Sequence, residues 1–97
     1  MDELHKLRQE IDQIDNELVK LFEKRMNISK KVADYKRINN IPIFDEARES
    51  KVIEKNIDKL NDKSLRHELE EFYKVIFRIS KDIQERELYK SKWSRIY

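Results

Sequence analysis

The sequence contains no glycine, no cysteine and a single proline, Pro42. Without glycine, the chain lacks the glycine-rich loops that hold phosphates or dinucleotides. Without cysteine, disulfides, thiolate catalysis and cysteine-ligated zinc are excluded. Sharp turns are also few when glycine and proline are scarce, and no stretch alternates β-branched with polar residues over a useful length. We therefore expect helices and no strand.

Two kinds of targeting segment are absent as well. No apolar run is long enough to cross a bilayer, and the opening residues MDELHKLRQE lack the apolar core of a secretory signal. We therefore expect a cytoplasmic protein that does not enter a membrane. The 22 basic and 20 acidic residues are interleaved along the chain, whereas a nucleic-acid binder usually gathers its basic residues into one patch. No nucleic-acid partner is expected.

What the sequence does contain is one long apolar pattern. Its members are spaced alternately three and four residues apart, as on one face of a continuous helix: Leu4, Leu7, Ile11, Ile14, Leu18, Leu21, Ile28, Val32 and Tyr35. We call this row the α1 seam. The position that completes the row holds Arg25, and a guanidinium there is costly unless another group meets it.

The length of this first helix predicts a second chain. A helix from about Asp2 to Arg37 would be roughly 50 Å long at ~1.5 Å per residue, whereas a compact domain of this size is only about 30 Å across. The chain therefore cannot cover its own α1 seam. We therefore predict an intertwined or side-by-side oligomer, most simply a two-fold homodimer.

A turn should follow at residues 39–44, which read NNIPIF. Pro42 disfavours helical backbone at Ile41, and the paired asparagines suit a turn. Asp45 is then a good N-cap for a short second helix. That helix should end near Leu60.

A third, long helix should begin after Asn61 or Asp62, since either residue could cap it. Its apolar face consists of Leu65, Leu69, Phe72, Ile76, Ile79 and Ile83. The helix is expected to fade after Leu88, so that residues 1–88 form one helical domain and residues 89–97 a basic tail. The predicted fold is therefore all-α, with three helices in each chain and six in the homodimer.

Several polar side chains fall on faces that a helical bundle would bury. They are Arg8, Arg25, Lys36, Arg48, Glu49, Ser80 and Gln84. One interpretation is that Arg25 sets the register of the bundle while the others are exposed or reach out to solvent. The other is that four cations, one acid and two neutral hydrogen-bonding groups line one cavity, which would suit a small dianion with a hydroxyl group. Spacing alone leaves both interpretations open.

The usual catalytic groups are scarce. His5 and His67 are not paired with each other or with carboxylates at metal-ligand spacing, and no Ser/His/Asp arrangement can be proposed. We therefore expect neither a metal nor a cofactor. An enzyme with this sequence should work by binding and electrostatics.

Four segments, taken in order, carry a resemblance to a known family. They are LRQEIDQIDNELVKLFEKR, VADYK ending at Lys36, IPIFDEARE, and FYKVIFRISKDIQ in the third helix. Together they resemble the all-helical class of chorismate mutases, whose first helix begins L-R-x-x-I-D-x-I-D-x-x-L-x-x-L-x-x-x-R. The resemblance covers about Leu4 to Leu88. It implies an isomerase that rearranges chorismate to prephenate on the route to phenylalanine and tyrosine.

The resemblance also implies a substrate site, and the sequence matches the family at each of its positions: Arg8, Arg25, Lys36, Asp45, Arg48, Glu49, Ser80 and Gln84. Arg8 would enter the site of the partner protomer. Arg8 and Arg25 would clamp the two carboxylates of chorismate, assisted by Ser80 and Arg48. Lys36 and Gln84 would donate hydrogen bonds to the ether oxygen. Glu49 would accept one from the ring hydroxyl, with a backbone group at Asp45 assisting.

Two alternatives remain open. An isochorismate pyruvate lyase shares this fold and a cationic pocket, so the sequence separates it poorly from a mutase. The other alternative is a non-catalytic helical regulatory or interaction module. Such a module would be expected to have lost residues of the site, and none is lost here.

Overall fold

The computed structural model describes residues 2–94 of the chain, with side chains over residues 2–90. It contains three α-helices, α1 (Glu3–Ile38), α2 (Glu46–Ile57) and α3 (Arg66–Ser94), and a 3-10 turn at Lys63–Leu65. No strand occurs within residues 2–94, and no helix of that range is long and apolar enough to cross a membrane. The predicted all-α fold with a long, a short and a long helix is confirmed.

Local capping fixes the ends of α1 within one residue of the predicted bounds. The Asp2 side chain accepts a hydrogen bond of 2.8 Å from the backbone N–H of His5, which satisfies one of the free donors of the first turn. The positive charges of Lys36 and Arg37 in the last turn interact favourably with the negative end of the helix dipole. Asn40 then takes a positive φ of 54°, a conformation that asparagine tolerates better than most residues.

The seam in the first half of α1 is left largely exposed by its own chain. The molecule measures 60 × 30 × 15 Å, and six members of the α1 seam are between 45% and 64% exposed: Leu4, Leu7, Ile11, Ile14, Leu18 and Leu21. Exposed apolar rows of this extent are typical of interaction surfaces. That a second chain covers α1 stays a prediction, and these six residues are the surface on which it would bind.

The second half of α1 packs differently from the prediction. Its buried residues are Met26, Ser29 and Ala33, which lie one position after the seam and therefore about 100° around the helix. The seam members Ile28 and Val32 are 48% and 37% exposed. The expectation that one face serves the whole helix is wrong, because small side chains on the neighbouring face allow α3 to approach closely. Ser29 Oγ lies 2.7 Å from the hydroxyl of Ser80 on α3.

The second helix begins as predicted and ends earlier. Asp45 is its N-cap and accepts a 3.0 Å hydrogen bond from the backbone N–H of Arg48. The helix ends at Ile57 rather than near Leu60. The carbonyl groups of Ile57 and Asp58 at its end accept hydrogen bonds of 3.0 Å and 2.9 Å from Lys63 Nζ, which satisfy acceptors that a helix end leaves free.

Asp62, one of the two predicted caps, organises the entry to α3. Its carboxylate accepts hydrogen bonds from the hydroxyl and the backbone N–H of Ser64, at 2.6 Å and 3.0 Å. These bonds, the hydroxyl contact first, lower the pKa of Asp62 below its ordinary value. At the other end, α3 continues to Ser94. The predicted fading after Leu88 is wrong, because residues 89–94 contain no helix breaker; a domain boundary at residue 88 stays a prediction.

Candidate anion-binding site

One cavity lies between the second half of α1, the loop of residues 39–45 (the α1–α2 loop), α2 and α3. Its volume is about 330 Å³, which is within the range of small-ligand sites. The walls are formed by Arg25, Ile28, Ser29, Val32, Lys36, Ile43, Asp45, Arg48, Glu49, Val52, Phe77, Ser80, Lys81 and Gln84. The rotation of the packing face on α1 is what opens it, since Ile28 and Val32 line the cavity instead of packing against α3.

Every site residue predicted from the sequence lines this cavity, except one. Arg25 and Lys36 come from α1, Asp45 from the α1–α2 loop, Arg48 and Glu49 from α2, and Ser80 and Gln84 from α3. The exception is Arg8, which is exposed and lies 17 residues before Arg25, or about 25 Å along the helix. A single chain does not bring Arg8 to its own cavity.

The charge of the walls favours an anion. Four cationic side chains, Arg25, Lys36, Arg48 and Lys81, face two carboxylates, Asp45 and Glu49. The Asp45 carboxylate is engaged as the cap of α2, and the Glu49 carboxylate lies 3.4 Å from Lys81 Nζ. Within the described residues, no group of three His, Asp or Glu side chains could hold a metal ion. Both carboxylates are therefore engaged within the protein, and the cationic side chains give the cavity an excess of positive charge.

Lys36 connects the cavity to the α1–α2 loop. Its ammonium group donates a 2.8 Å hydrogen bond to the carbonyl oxygen of Ile43. The last turn of α1 and the turn at Asn40 bring the loop back toward the lysine, which makes this contact possible. Because an ammonium has three N–H donors, two remain for a ligand.

A buried polar chain crosses from α1 to α3 at the side of the cavity. Ser29 Oγ and Ser80 Oγ are 2.7 Å apart, and Gln84 Nε2 donates to Ser80 Oγ at 3.3 Å. All three residues are less than 10% exposed. Gln84 Oε1 is buried and has no hydrogen-bond partner among the described residues, which is uncommon for a buried polar atom. Nε2 of Gln84 also carries a second N–H.

Two polar residues of the cavity were missed by the sequence analysis. Ser29 follows Arg25 by one helical turn and therefore shares its side of α1; this spacing could have identified it. Lys81 has no comparable signal. Its ammonium contacts Glu49 on α2 and lies 4.7 Å from the centre of the Phe44 ring, so its role depends on elements that are distant in sequence.

The fold and the cavity together define a class: an all-helical protein with a cavity of small-ligand size, lined by cationic side chains, between its helices. Comparison with known proteins narrows this class. Residues 7–85 match the family described as chorismate mutase type II. This match covers most of the chain, and the chain belongs to that family.

Two curated relatives carry the family name. A bifunctional chorismate mutase/prephenate dehydratase of Aquifex aeolicus is 40% identical over 55 residues, which are 57% of this chain and 15% of that protein. A chorismate mutase of Methanocaldococcus jannaschii is 36% identical over 55 residues, which are 57% of this chain and 56% of that protein. The chain thus matches only a part of each relative's length.

Proposed function

We propose that the chain is a cytoplasmic chorismate mutase that converts chorismate to prephenate in the cavity between α1, α2 and α3, without a cofactor. The observation that carries the proposal is the convergence of seven predicted residues on one cavity. They are Arg25, Lys36, Asp45, Arg48, Glu49, Ser80 and Gln84. Membership of the family supports the same reaction, and the names of both relatives include it.

The reaction is a unimolecular [3,3] rearrangement, in which one C–O bond breaks while one C–C bond forms. No proton, hydride or covalent intermediate is required. The protein has to hold the enolpyruvyl arm over the ring and to stabilise the charge that separates as the C–O bond breaks. A cavity with four cations and a buried hydrogen-bonding chain is suited to both tasks.

The cations divide between binding and catalysis. Arg25 would hold a substrate carboxylate through its planar guanidinium, which matches a carboxylate with two parallel hydrogen bonds. Lys36 would donate one of its remaining protons to the ether oxygen, where negative charge grows. The second N–H of Gln84 would donate to the same oxygen.

The remaining groups would fix the substrate. Glu49 would accept a hydrogen bond from the ring hydroxyl, with a backbone group at Asp45 beside it. Arg48 and Ser80 would bind carboxylate oxygens. Gln84 Nε2 donates to Ser80 Oγ, and the Ser29 hydroxyl lies 2.7 Å from the same oxygen. With Ser29 as the donor in that contact, the Ser80 hydroxyl proton is free to point to an anion.

A homodimer would complete the site. The six exposed seam residues in the first half of α1 need a partner surface, and a second copy of the chain offers the same row in a two-fold arrangement. In that dimer the partner's Arg8 would reach the cavity and supply a further cation for the second carboxylate. The expected assembly contains six helices and two sites.

The test is direct turnover by the purified protein. Incubation with chorismate should consume its absorbance and form prephenate. Incubation with isochorismate should not release salicylate and pyruvate; release of these products would identify the lyase instead. Absence of turnover with either substrate would favour the non-catalytic module and would refute the proposal.

Variants connect turnover with the cavity. Arg25→Ala or Lys36→Ala should lower kcat/KM by roughly 10²–10³-fold, the usual effect of removing one oriented donor, and should leave the helical circular dichroism unchanged. Lys31→Ala is the matched control, because Lys31 is an exposed lysine of α1 that does not line the cavity. Near-normal activity of either cavity variant would contradict the assignment.

A further inference from the structure

Lys81 joins three elements around the cavity. It stands on α3 directly after Ser80, and its ammonium lies 3.4 Å from Glu49 Oε2 on α2. The same ammonium lies 4.7 Å from the centre of the Phe44 ring in the α1–α2 loop, within the distance of a cation–π contact. The side chains of Lys81 and Glu49 are 33% and 26% exposed, so the pair is partly shielded from solvent.

The position of Lys81 decides how the Glu49 carboxylate meets a ligand. Glu49 shares its cavity with Arg25, Lys36 and Arg48. Without Lys81, the carboxylate would be free to turn toward these cations and to compete with a bound anion for them. With Lys81, one oxygen is held at the α3 wall, and the other can face the cavity.

The contact with Phe44 extends this effect to the loop. Lys36 holds the loop from the α1 side through the Ile43 carbonyl group, and Lys81 holds the next residue from the α3 side. Two ammonium groups on opposite helices therefore fix neighbouring residues of the loop. Because Asp45 follows directly in the chain, the loop also sets the start of α2.

We propose that Lys81 is a positioning residue of this site: it fixes the Glu49 carboxylate toward the substrate hydroxyl and holds the α1–α2 loop against α3. The proposal rests on the proposed chorismate mutase activity for its substrate, and on the two contacts of Lys81 for its geometry. Lys81 itself does not have to touch the substrate.

Steady-state kinetics test the proposal. Lys81→Met keeps a long apolar stem and removes the charge. It should raise KM for chorismate by about two- to fivefold, the range expected for a partly exposed ion pair, and should change kcat by less than about twofold. Lys81→Arg restores a cation and should return KM toward the original value. Lys74→Met is the matched control, because Lys74 also pairs with acids on α3 (Glu70 and Glu71) and does not line the cavity; its KM should not change.

A double-mutant comparison separates positioning from simple charge attraction. If Lys81 acts through Glu49, then Lys81→Met should have little further effect on KM in a Glu49→Gln background. If Lys81→Met raises KM equally in both backgrounds, Lys81 does not act through Glu49, and its role in positioning that carboxylate is refuted. An unchanged KM in the Lys81→Met variant would also refute it.

A second measurement is independent of turnover. Hydrogen exchange of the backbone amides in residues 39–45 should be faster in Lys81→Met than in Lys74→Met, because only the former loses a contact to Phe44. Equal exchange in the two variants would refute the role of Lys81 in holding the loop. If the original protein does not convert chorismate, the proposed function fails, and the exchange result still decides whether Lys81 holds the loop.

Discussion

Replacement of Ile14 by alanine tests whether the exposed α1 seam binds a second copy of the chain. Ile14 is 64% exposed and is the most exposed of the six apolar seam residues in the first half of α1. The change removes three carbon atoms, worth about 2.4 kcal/mol if fully buried at ~0.8 kcal/mol each. Scaled to the exposed fraction, about 1.5 kcal/mol would be lost in each subunit. Two equivalent copies in a two-fold dimer give about 3 kcal/mol, or a roughly 100-fold higher Kd for dimerisation.

Sedimentation equilibrium over a range of concentrations measures this constant. The chain mass is 12.0 kDa, so a monomer and a dimer are easily distinguished. Ile41→Ala is the matched control: it is the same substitution at an exposed isoleucine, 44% accessible, in the α1–α2 loop and outside the α1 seam. Its Kd should equal that of the original chain.

The same experiment extends to activity, because the proposed site needs the partner's Arg8. Specific activity of Ile14→Ala should fall on dilution in the concentration range where its dimer dissociates, and should recover at high protein concentration. A monomeric original chain at high concentration would refute the dimer. Equal dissociation constants for Ile14→Ala and Ile41→Ala would show that the α1 seam is not the interface.

Three further predictions concern single residues. Because Asn40 has a φ of 54°, Asn40→Gly should preserve the free energy of unfolding in urea, whereas Asn40→Val should lower it by about 1–2 kcal/mol; equal values would contradict the strain argument. The hydrogen bonds from Ser64 lower the pKa of Asp62, so Asp62 stabilises the fold above its unfolded-state pKa and loses that effect as the pH falls through its lower folded-state pKa. The Tm of Asp62→Ala should therefore be lower than the original at neutral pH and should converge with it in strong acid, whereas a constant difference would exclude this cause. Gln84 does not titrate, so kcat/KM should be flat between about pH 5 and 8; a steep loss in this range would contradict Gln84 as the donor to the ether oxygen.

The features of the fold that depend on neighbours in sequence were predictable. The starts of α1 and α2 follow from Asp2 and Asp45, whose side chains cap the backbone within the next turn. The contacts at the end of α2 were not predictable in this way, because its carbonyl groups are met by Lys63, which reaches back from a separate turn. The packing face of α1 was also missed. An apolar repeat identifies a row of residues, and it does not say whether that row meets another helix, a second chain or a cavity.

The residues of the candidate site also divide into those that local sequence could predict and those that depend on tertiary contacts. Helical spacing grouped Arg25 with Lys36 on α1 and Ser80 with Gln84 on α3. Arg48 and Glu49 were placed with them as polar residues at the start of the second helix, and the family resemblance added Asp45. All of these residues line one cavity. Lys81 could not be found by spacing, since its two contacts, with Glu49 and Phe44, exist only after α2 and the α1–α2 loop fold onto α3.

At Arg25 the surroundings of the α1 seam change from an apolar groove to the cationic cavity. Before it, Leu18 and Leu21 line an apolar groove shared with Phe72 and Ile76 of α3, and Arg25 stands at the end of that groove. After it, the seam residues Ile28 and Val32 line the cationic cavity, and Arg25 lines that cavity as well. A cation in a uniformly packed seam would be destabilising, whereas at this boundary its stem can lie along apolar surface while its head faces the cavity. The interruption of the apolar repeat is therefore the position where the apolar groove and the cavity meet. In the proposed dimer, a partner that covers the groove would also shield Arg25 from solvent and strengthen its hold on a carboxylate.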